Sequence, residues 1–388
     1  MPLPIGRDPR LDLFRGLALV LIFINHVPGT IYESVTTRNF GFSDAAEAFV
    51  LMSGLAAALA YGPDFQAGAV ARGVRRLWGR AWTLYLVHLM TTVCAIGIAA
   101  GAALWFGATQ LLGENQLGVL FEQPLGFLVG IPLLTHQLGY ANILPMYAVL
   151  LLATPLMLLL GQRAPRLLLA LSVALWAFSG QFRLDLPNYP TPGGWFFNPL
   201  AWQLIFVVGL LTGLAMRAGR RLVPVSRGLQ VLALGWLVLS FFWVWVPGLA
   251  APLNHAMWVG AQHGVPFSLH SFDKTYLGAP RLLHILALAY LVTCVPGLRQ
   301  AAAGWLARPL VLLGRHSLPV FALGTVLCFL MQAIKDVAPP GLGLDTALIF
   351  GGLGLQLALA FVQEHWRDNR PPARAATPAA VAATPQAA

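Results

Sequence analysis

Long apolar runs, most of them about 20 residues, recur along the chain between shorter polar segments. A run of this length matches an α-helix that crosses about 30 Å of hydrocarbon at 1.5 Å per residue. Backbone groups inside a bilayer must be hydrogen-bonded within the protein, so these runs are expected to be helical. The pattern predicts ten spans, at 11–31, 43–62, 81–105, 142–161, 166–181, 200–217, 228–247, 281–298, 316–334 and 345–364. We therefore expect an all-α, polytopic integral membrane helical bundle.

Composition supports this interpretation and excludes a water-soluble catalytic domain. Hydrophobic residues make up 58% of the 388 positions and charged residues only 10%, whereas soluble domains carry about 25% charged residues. The formal charge of +10 would suggest nucleic-acid binding in a soluble protein. Cationic membrane loops produce the same excess, so we expect a lipid bilayer and no nucleic acid as a partner.

Lysine and arginine divide unequally between alternate connections of the ten-span layout. Eighteen of the 24 fall on the side that holds both termini, five fall on the other side, and Arg15 lies inside the first span. Cytoplasmic loops of membrane proteins carry the excess of positive charge. The distribution therefore predicts that both termini are cytoplasmic.

Three connections on the outer side are long, and long polar and aromatic loops are where a binding mouth can form. They cover residues 107–141, 182–199 and 248–280. On the inner side, residues 67–80 alternate arginine with apolar residues and predict an amphipathic surface helix. We expect one membrane domain over 1–366 and a disordered cytoplasmic tail over 367–388, because its alanine, proline and threonine cannot form a core.

Ionisable residues in the first two spans are the strongest candidates for chemistry, since each costs roughly 2.5–3.5 kcal/mol on insertion scales. Arg15 and His26 are eleven residues apart, which places them on one helix face about 16 Å apart along the axis. Asp44 and Glu47 open the second span at the expected depth of His26, and an imidazole oriented by a carboxylate suits a general base. Two structural alternatives stay open: Asp12 pairs with Arg15, and Asp44 caps its helix.

Polar residues also open two later spans from the outer side. Amide, aromatic and charged groups together suit a carbohydrate, and interfacial anchoring by Trp and Arg is the alternative. With two residues from the turn after the first span, the candidate acceptor-binding residues are Arg38, Asn39, Asn198, Trp202, Gln203, Asp273, Lys274, Arg281 and His284. His88 is expected to be a core histidine. The cysteines and the loop histidines lack metal-ligand spacing, so no metal site is predicted.

Several segments, taken in order, resemble the OpgC family, which is grouped with the acyltransferase-3 membrane enzymes. They are RLDLFRGLALVLIFINHVPG from Arg10, TTRNFGFSDAAEAFVLMSG from Thr36, NPLAWQLIFVVG from Asn198, FDKTYLGAPRLLHILALAYL from Phe272 and LGRHSLPVFALG from Leu313. The resemblance extends from Arg10 to about Phe361. It is more specific than any single motif because several long segments match in order.

The resemblance implies O-acyl transfer in a bacterial inner membrane, from cytoplasmic acyl-CoA, with succinyl as the expected acyl group, to hydroxyls of a periplasmic glucan or other glycan. Arg15 and His26 match the family signature of an arginine, ten residues and a histidine. His26, oriented by Asp44 or Glu47, would deprotonate the acceptor hydroxyl. The donor phosphates would be held by Arg10, Arg15, Arg72, Arg75 and Arg76.

No permanently bound cofactor is implied, because acyl-CoA is the donor substrate. A competing interpretation is a transporter or flippase for a glycan or acyl group, for which arginine, histidine and acidic residues in a bundle are equally natural. A purely structural role is the third interpretation, although it gives little reason to place Arg15, His26 and Glu47 inside spans.

Overall fold

The computed structural model describes residues 8–369, and these residues form helices and connections without any strand longer than an isolated bridge. This confirms the all-α prediction. Helices of eight residues or more in the described part are α1 Pro9–Asn25, α2 Ala45–Gln66, α3 Val70–Phe106, α4 Ile143–Arg163, α5 Pro165–Phe182, α6 Pro199–Arg217, α7 Arg227–Trp245, α8 Pro247–Gln262, α9 Ala279–Cys294, α10 Arg308–Arg315, α11 Ser317–Val337 and α12 Leu342–Asp368.

Eight of the described helices are long and apolar enough to cross a membrane: α2 to α7, α11 and α12. The first and eighth predicted spans are also helical, but α1 has 17 residues and α9 has 16. The protein is therefore a multi-helix membrane protein with eight clear candidate spans. The count of ten and the location of the termini stay predictions.

The predicted surface helix over 67–80 is not a separate element, because α3 continues from Val70 to Phe106 without a break. At 1.5 Å per residue its 37 residues extend about 55 Å, well beyond a hydrocarbon core of about 30 Å. Its arginine-rich first turns therefore project out of the apolar layer. The third predicted span lies in the remainder of the same helix.

Two other predictions change in the described structure. The connection at 248–280 is largely helical, because α8 occupies most of its first half and buries none of its residues. The helix α12 continues to Asp368, two residues past the expected end of the membrane domain. The rest of the predicted disordered tail, residues 370–388, lies outside the described residues.

Small residues allow the closest helix contacts, as in other membrane bundles. Helices α2 and α6 meet where Gly54 lies against the Phe206 carbonyl and Gly209 against the Leu51 carbonyl, so that a Cβ on either glycine would collide with backbone. Helix α10 lies on α1 in the same way, through Gly314 at the Asp12 carbonyl. These contacts fix the positions of the helices that carry the candidate site.

Side-chain contacts join the helix ends at two opposite faces of the bundle. At one face, here called the arginine end, Arg217 donates to Gln66, Arg221 donates to Thr293, and Arg315 pairs with Glu364. At the other face, here called the His26 end, α2, α9, α11 and α12 meet around a second set. That set includes Lys274 with Asp44, Gln332 with His26, and Lys335 with Asp345.

Candidate functional site

His26 follows the last residue of α1 and ends that helix, just before Pro28 and Gly29. Its Nδ1 lies 2.5 Å from the carbonyl oxygen of Ile22. A carbonyl oxygen accepts hydrogen bonds and never donates them, so Nδ1 carries the proton of the neutral ring. The lone pair is therefore on Nε2, and this is the tautomer in which Nε2 can accept a proton.

The surroundings of the His26 ring are aromatic and polar but uncharged at contact distance. The Tyr140 ring meets it nearly edge-on, with centroids 4.5 Å apart and planes at 89°. A small cavity of about 20 Å³ adjoins the ring, and Thr325 and Gln356 line it together with apolar residues of α1 and α11. This volume holds about one water molecule. His26 is therefore half-buried, with one part of its ring beside a cavity rather than against packed side chains.

Asp44 and Glu47 form a separate group at the same end, here called the carboxylate cluster with Lys274 and Arg281. Asp44 is the N-cap of α2: its Oδ1 accepts from the Ala46 N–H at 2.8 Å, and its own N–H donates to Glu47 Oε2 at 2.9 Å. This reciprocal arrangement is a capping box. The sequence DAAE from Asp44 therefore caps the start of α2. This is the capping role that the sequence left open as an alternative for Asp44.

Two cations complete the carboxylate cluster. Lys274 Nζ lies 2.5 Å from Asp44 Oδ2, and Arg281 donates through Nε at 2.8 Å and Nη2 at 2.5 Å to Glu47 Oε1. The Glu47 side chain is fully buried. Burial raises the pKa of the Asp44 carboxyl, but the charges of Lys274 and Arg281 lower it further, so this pKa lies well below its ordinary value. The cluster joins α2 to α9 with its charges balanced.

The expected contact between His26 and a carboxylate is not formed. Among residues 8–369, the His26 ring nitrogen bonds to a backbone carbonyl, whereas Asp44 and Glu47 bond to cations and to backbone N–H groups. Both groups lie at one end of the bundle, but no ion pair or hydrogen bond joins them in this part of the chain. Their catalytic roles stay predictions.

Three of the expected acceptor-binding residues are buried and already engaged by the fold. Asn198 caps α6 through the Leu200 N–H, the Trp202 indole donates to the Lys274 carbonyl, and Gln203 exchanges hydrogen bonds with Ser172. Asn198 and Trp202 expose none of their surface. The Trp202 bond holds α6 against the segment that carries Lys274 of the carboxylate cluster, and the Gln203 bonds hold α6 against α5.

The remaining acceptor candidates fall into different settings. Asp273 accepts from the Tyr276 N–H in a turn, and His284 Nδ1 lies 2.7 Å from the hydroxyl of Ser43. Asn39 donates to the Glu33 carbonyl, whereas Arg38 is exposed. Asp44 takes the N-cap position of α2, which leaves the neighbouring Ser43 hydroxyl to His284.

Three of the expected phosphate-binding arginines lie together in the first turns of α3. Arg72 and Arg76 both pair with Asp64 near the end of α2, at 3.0 and 2.6 Å, and Arg75 is exposed beside them. An arginine has five N–H donors, so a single bond to Asp64 leaves capacity for an anion. This group stands at the arginine end.

The other two expected phosphate ligands belong to α1. Arg10 pairs with Asp8 at 2.7 Å in the first turn of the helix. Arg15 donates from Nη2 to the Met52 carbonyl at 3.4 Å, across the contact between α1 and α2. Asp12, the alternative partner of Arg15 in sequence, lies 3.8 Å from Arg315. Arg15 and His26 stand on the same helix, toward opposite ends of the bundle.

A histidine–carboxylate pair that sequence reasoning missed lies at the arginine end. His316 Nε2 is 2.6 Å from Glu364 Oε2, and Arg315 and Arg367 contact the other Glu364 oxygen. His316 lies within LGRHSLPVFALG, but Glu364 is 48 residues away, so no local spacing pointed to it. The pair connects the start of α11 to the end of α12.

Comparison with known families gives one match. A family model described as "OpgC protein" matches residues 7–368, nearly the whole chain. No curated protein matches, and no solved structure matches.

Proposed function

The chain belongs to the OpgC family, and from this premise we propose that it is a membrane-embedded O-acyltransferase. The donor is cytoplasmic acyl-CoA, with succinyl as the expected acyl group, and the acceptor is a hydroxyl of a periplasmic glucan. The observation that carries the proposal is the family match over residues 7–368. The cavity beside the His26 ring supports a chemical role for that residue.

We propose ten spans, with both termini in the cytoplasm of a bacterium and the bundle in its inner membrane. Helices α1 and α9 would each extend about 25 Å, close to the thickness of a hydrocarbon core. The charge distribution supports this topology, because 18 of the 24 lysines and arginines fall in the connections assigned to the cytoplasm. The arginine end then faces the cytoplasm and the His26 end faces the periplasm.

In the proposed reaction, His26 acts as the general base. The acceptor hydroxyl transfers its proton to Nε2 while its oxygen attacks the thioester carbonyl carbon. The C–S bond then breaks, the CoA sulfur leaves with the bonding electrons, and the proton returns from the imidazolium to that sulfur. The Nδ1–Ile22 hydrogen bond supports this role, because it keeps the Nε2 lone pair available.

The donor's phosphates would lie at the arginine end. Arg72, Arg75 and Arg76 offer guanidinium groups at the surface of α3, and Arg10 and Arg15 add charge along α1. Guanidinium groups bind phosphate in two-point contacts. The separation of Arg15 and His26, about 16 Å along the helix, suits a long thiol arm that reaches from the phosphate groups toward the other face.

The test is acyl transfer by purified protein reconstituted in lipid vesicles. The protein is supplied with glucan and, separately, with succinyl-CoA, acetyl-CoA or no donor, and the mass added to the glucan is measured. We expect a succinyl adduct with succinyl-CoA and none without a donor. If no donor modifies the glucan, and cells lacking the gene keep normal glucan substitution but export less glucan, the protein is a transporter and the proposal is wrong.

A further inference from the structure

The connection between α3 and α4, residues 107–141, contains an unusual concentration of left-handed backbone. Asn115, Gln116, Leu134 and Tyr140 have φ values of 52°, 65°, 61° and 69°. Four of the six non-glycine residues with positive φ in the described chain fall in this one connection. Such conformations are unfavourable for residues with side chains and persist where surrounding contacts enforce them, often beside functional sites.

Contacts with α11 hold this connection in place. Asn115 Nδ2 donates to Gln332 Oε1 at 3.0 Å, and the Gly139 N–H donates to the Asn115 carbonyl. Buried apolar residues of the connection, among them Leu138, belong to one core cluster with Phe329 and Ala333 of α11. The connection is therefore held against α11, the helix that also lines the cavity beside His26.

The same network reaches His26 from two directions. Gln332 Nε2 donates to the His26 carbonyl oxygen at 3.3 Å, and the Tyr140 ring packs against Phe329 of α11 with ring centroids 5.7 Å apart. The Tyr140 ring then meets the imidazole edge-on. Burial raises the pKa of the Tyr140 phenol to about 12, so the hydroxyl stays protonated near neutral pH. Backbone and ring of His26 are thus both held through Tyr140 and Gln332.

We propose that Tyr140 is a positioning residue for His26. Its ring closes one side of the imidazole while the Ile22 carbonyl holds Nδ1, so the ring keeps one orientation beside the cavity. The packing of Tyr140 on Phe329 and the Asn115–Gln332 hydrogen bond attach this connection to α11. This inference rests on the proposed function, because it assigns to Tyr140 the orientation of the general base that the acyl transfer needs.

The test compares Tyr140→Leu, Tyr140→Phe and wild-type protein in the transfer assay. Misplacing a reacting group by about 1 Å costs about 100-fold in rate, so Tyr140→Leu should lower kcat about 100-fold and leave KM for acyl-CoA and glucan nearly unchanged. Tyr140→Phe keeps the ring that meets the imidazole and should keep kcat within about tenfold of wild type, since it removes only the polar hydroxyl group.

The matched control is Tyr32→Leu. Tyr32 is also a half-buried tyrosine at the His26 end, its ring meets Phe350 edge-on at 5.6 Å, and its hydroxyl bonds to Thr346. This substitution should leave kcat within about twofold of wild type. Equal kcat values for Tyr140→Leu and Tyr32→Leu, or a change in KM alone, would overturn the inference.

A second variant covers the case in which Tyr140→Leu does not fold. Gln332→Met keeps a long side chain but removes the bonds to Asn115 and to the His26 carbonyl, and it should lower kcat at least about tenfold. Normal kcat in this variant would also overturn the inference. The His26→Ala variant separates the two proposals. If His26→Ala keeps full acyl transfer, the proposed mechanism is wrong. If His26→Ala loses transfer while the Tyr140 variants keep wild-type kcat, only the positioning role of Tyr140 is wrong.

Discussion

Two groups at the same end of the bundle, the carboxylate cluster and the His26 ring, differ in the kind of contacts that their polar side chains make. In the carboxylate cluster, two acids and two cations cancel one another and join α2 to α9. Among the described residues the His26 ring makes no ion pair; its contacts are a backbone carbonyl and an aromatic ring. The charged side chains of the carboxylate cluster therefore hold helices together, while the imidazole beside the cavity makes no contact with a charged side chain in the described part of the chain.

The largest expected effect comes from replacing His26, the second group of this comparison. His26→Ala should lower acyl transfer by about 10²- to 10⁴-fold, the usual contribution of a general base. Thermal unfolding should change little, since the ring lies beside a cavity and makes no ion pair within residues 8–369. The measurement is kcat together with the melting temperature in detergent.

The control for His26→Ala is His255→Ala, which removes an exposed histidine of α8 that stacks on Trp258. It should retain wild-type transfer. A His26→Ala variant that retains turnover, or one that loses activity only because it no longer folds, would contradict the distinction between the two groups.

Breaking the carboxylate cluster should affect stability first. Glu47→Ala leaves the Arg281 guanidinium without its buried partner, and removing one member of a buried ion pair costs about 3–5 kcal/mol in the free energy of unfolding. Replacing both partners, as in Glu47→Leu with Arg281→Met, should recover much of that loss because no charge is left buried. Denaturation in mixed micelles measures both.

Activity separates a structural role for Glu47 from a catalytic one. If the double variant folds and still transfers acyl groups, the cluster serves the fold. If it folds normally but loses transfer as completely as His26→Ala, Glu47 acts in the chemistry and the comparison drawn above is wrong.

The smallest expected effect concerns Asp44. Asp44→Asn keeps a good helix cap but removes the charge that pairs with Lys274, a partly exposed contact worth at most about 1 kcal/mol. The folded state lowers the pKa of Asp44, so its stabilising contribution is complete above the ordinary carboxyl pKa of about 3.9 and declines as pH falls below it. Wild-type protein should therefore keep its stability advantage over Asp44→Asn from neutral pH down to about pH 4 and lose it progressively as the pH falls further. A constant difference would contradict the charge pairing.

Much of the fold was predictable because it depends on local patterns. Apolar runs of membrane length required helices, and all ten predicted runs are helical in the structure. The capping box at Asp44 and Glu47 was also visible as an acidic pair three residues apart. The exact lengths of the helices were harder to predict. Helix α3 contains both a predicted surface helix and a predicted span, because the same helical backbone continues from the arginine-rich sequence into the apolar sequence.

The partners of the site residues were not predictable in the same way. The pairing of Glu47 with Arg281 joins residues 234 positions apart, and the Gln332 bond to His26 joins residues 306 positions apart. Equal depth in the bundle suggested that His26 and Glu47 would meet, but depth does not specify the direction in which each helix presents its side chains. The left-handed conformation of Tyr140 had no local signal, because tyrosine does not favour it.

The amino-acid sequence alone determined that this is an all-helical membrane protein of the OpgC family, and it pointed to Arg15 and His26 on one helix. Hydrophobic length and long ordered segments carry that information without reference to any partner. Only the tertiary structure decided that the carboxylates pair with Lys274 and Arg281 and that Tyr140 meets His26. The physical reason is that these contacts depend on how each helix is rotated and packed against its neighbours. That packing is determined by close backbone contacts at glycines together with hydrogen bonds between residues far apart in sequence.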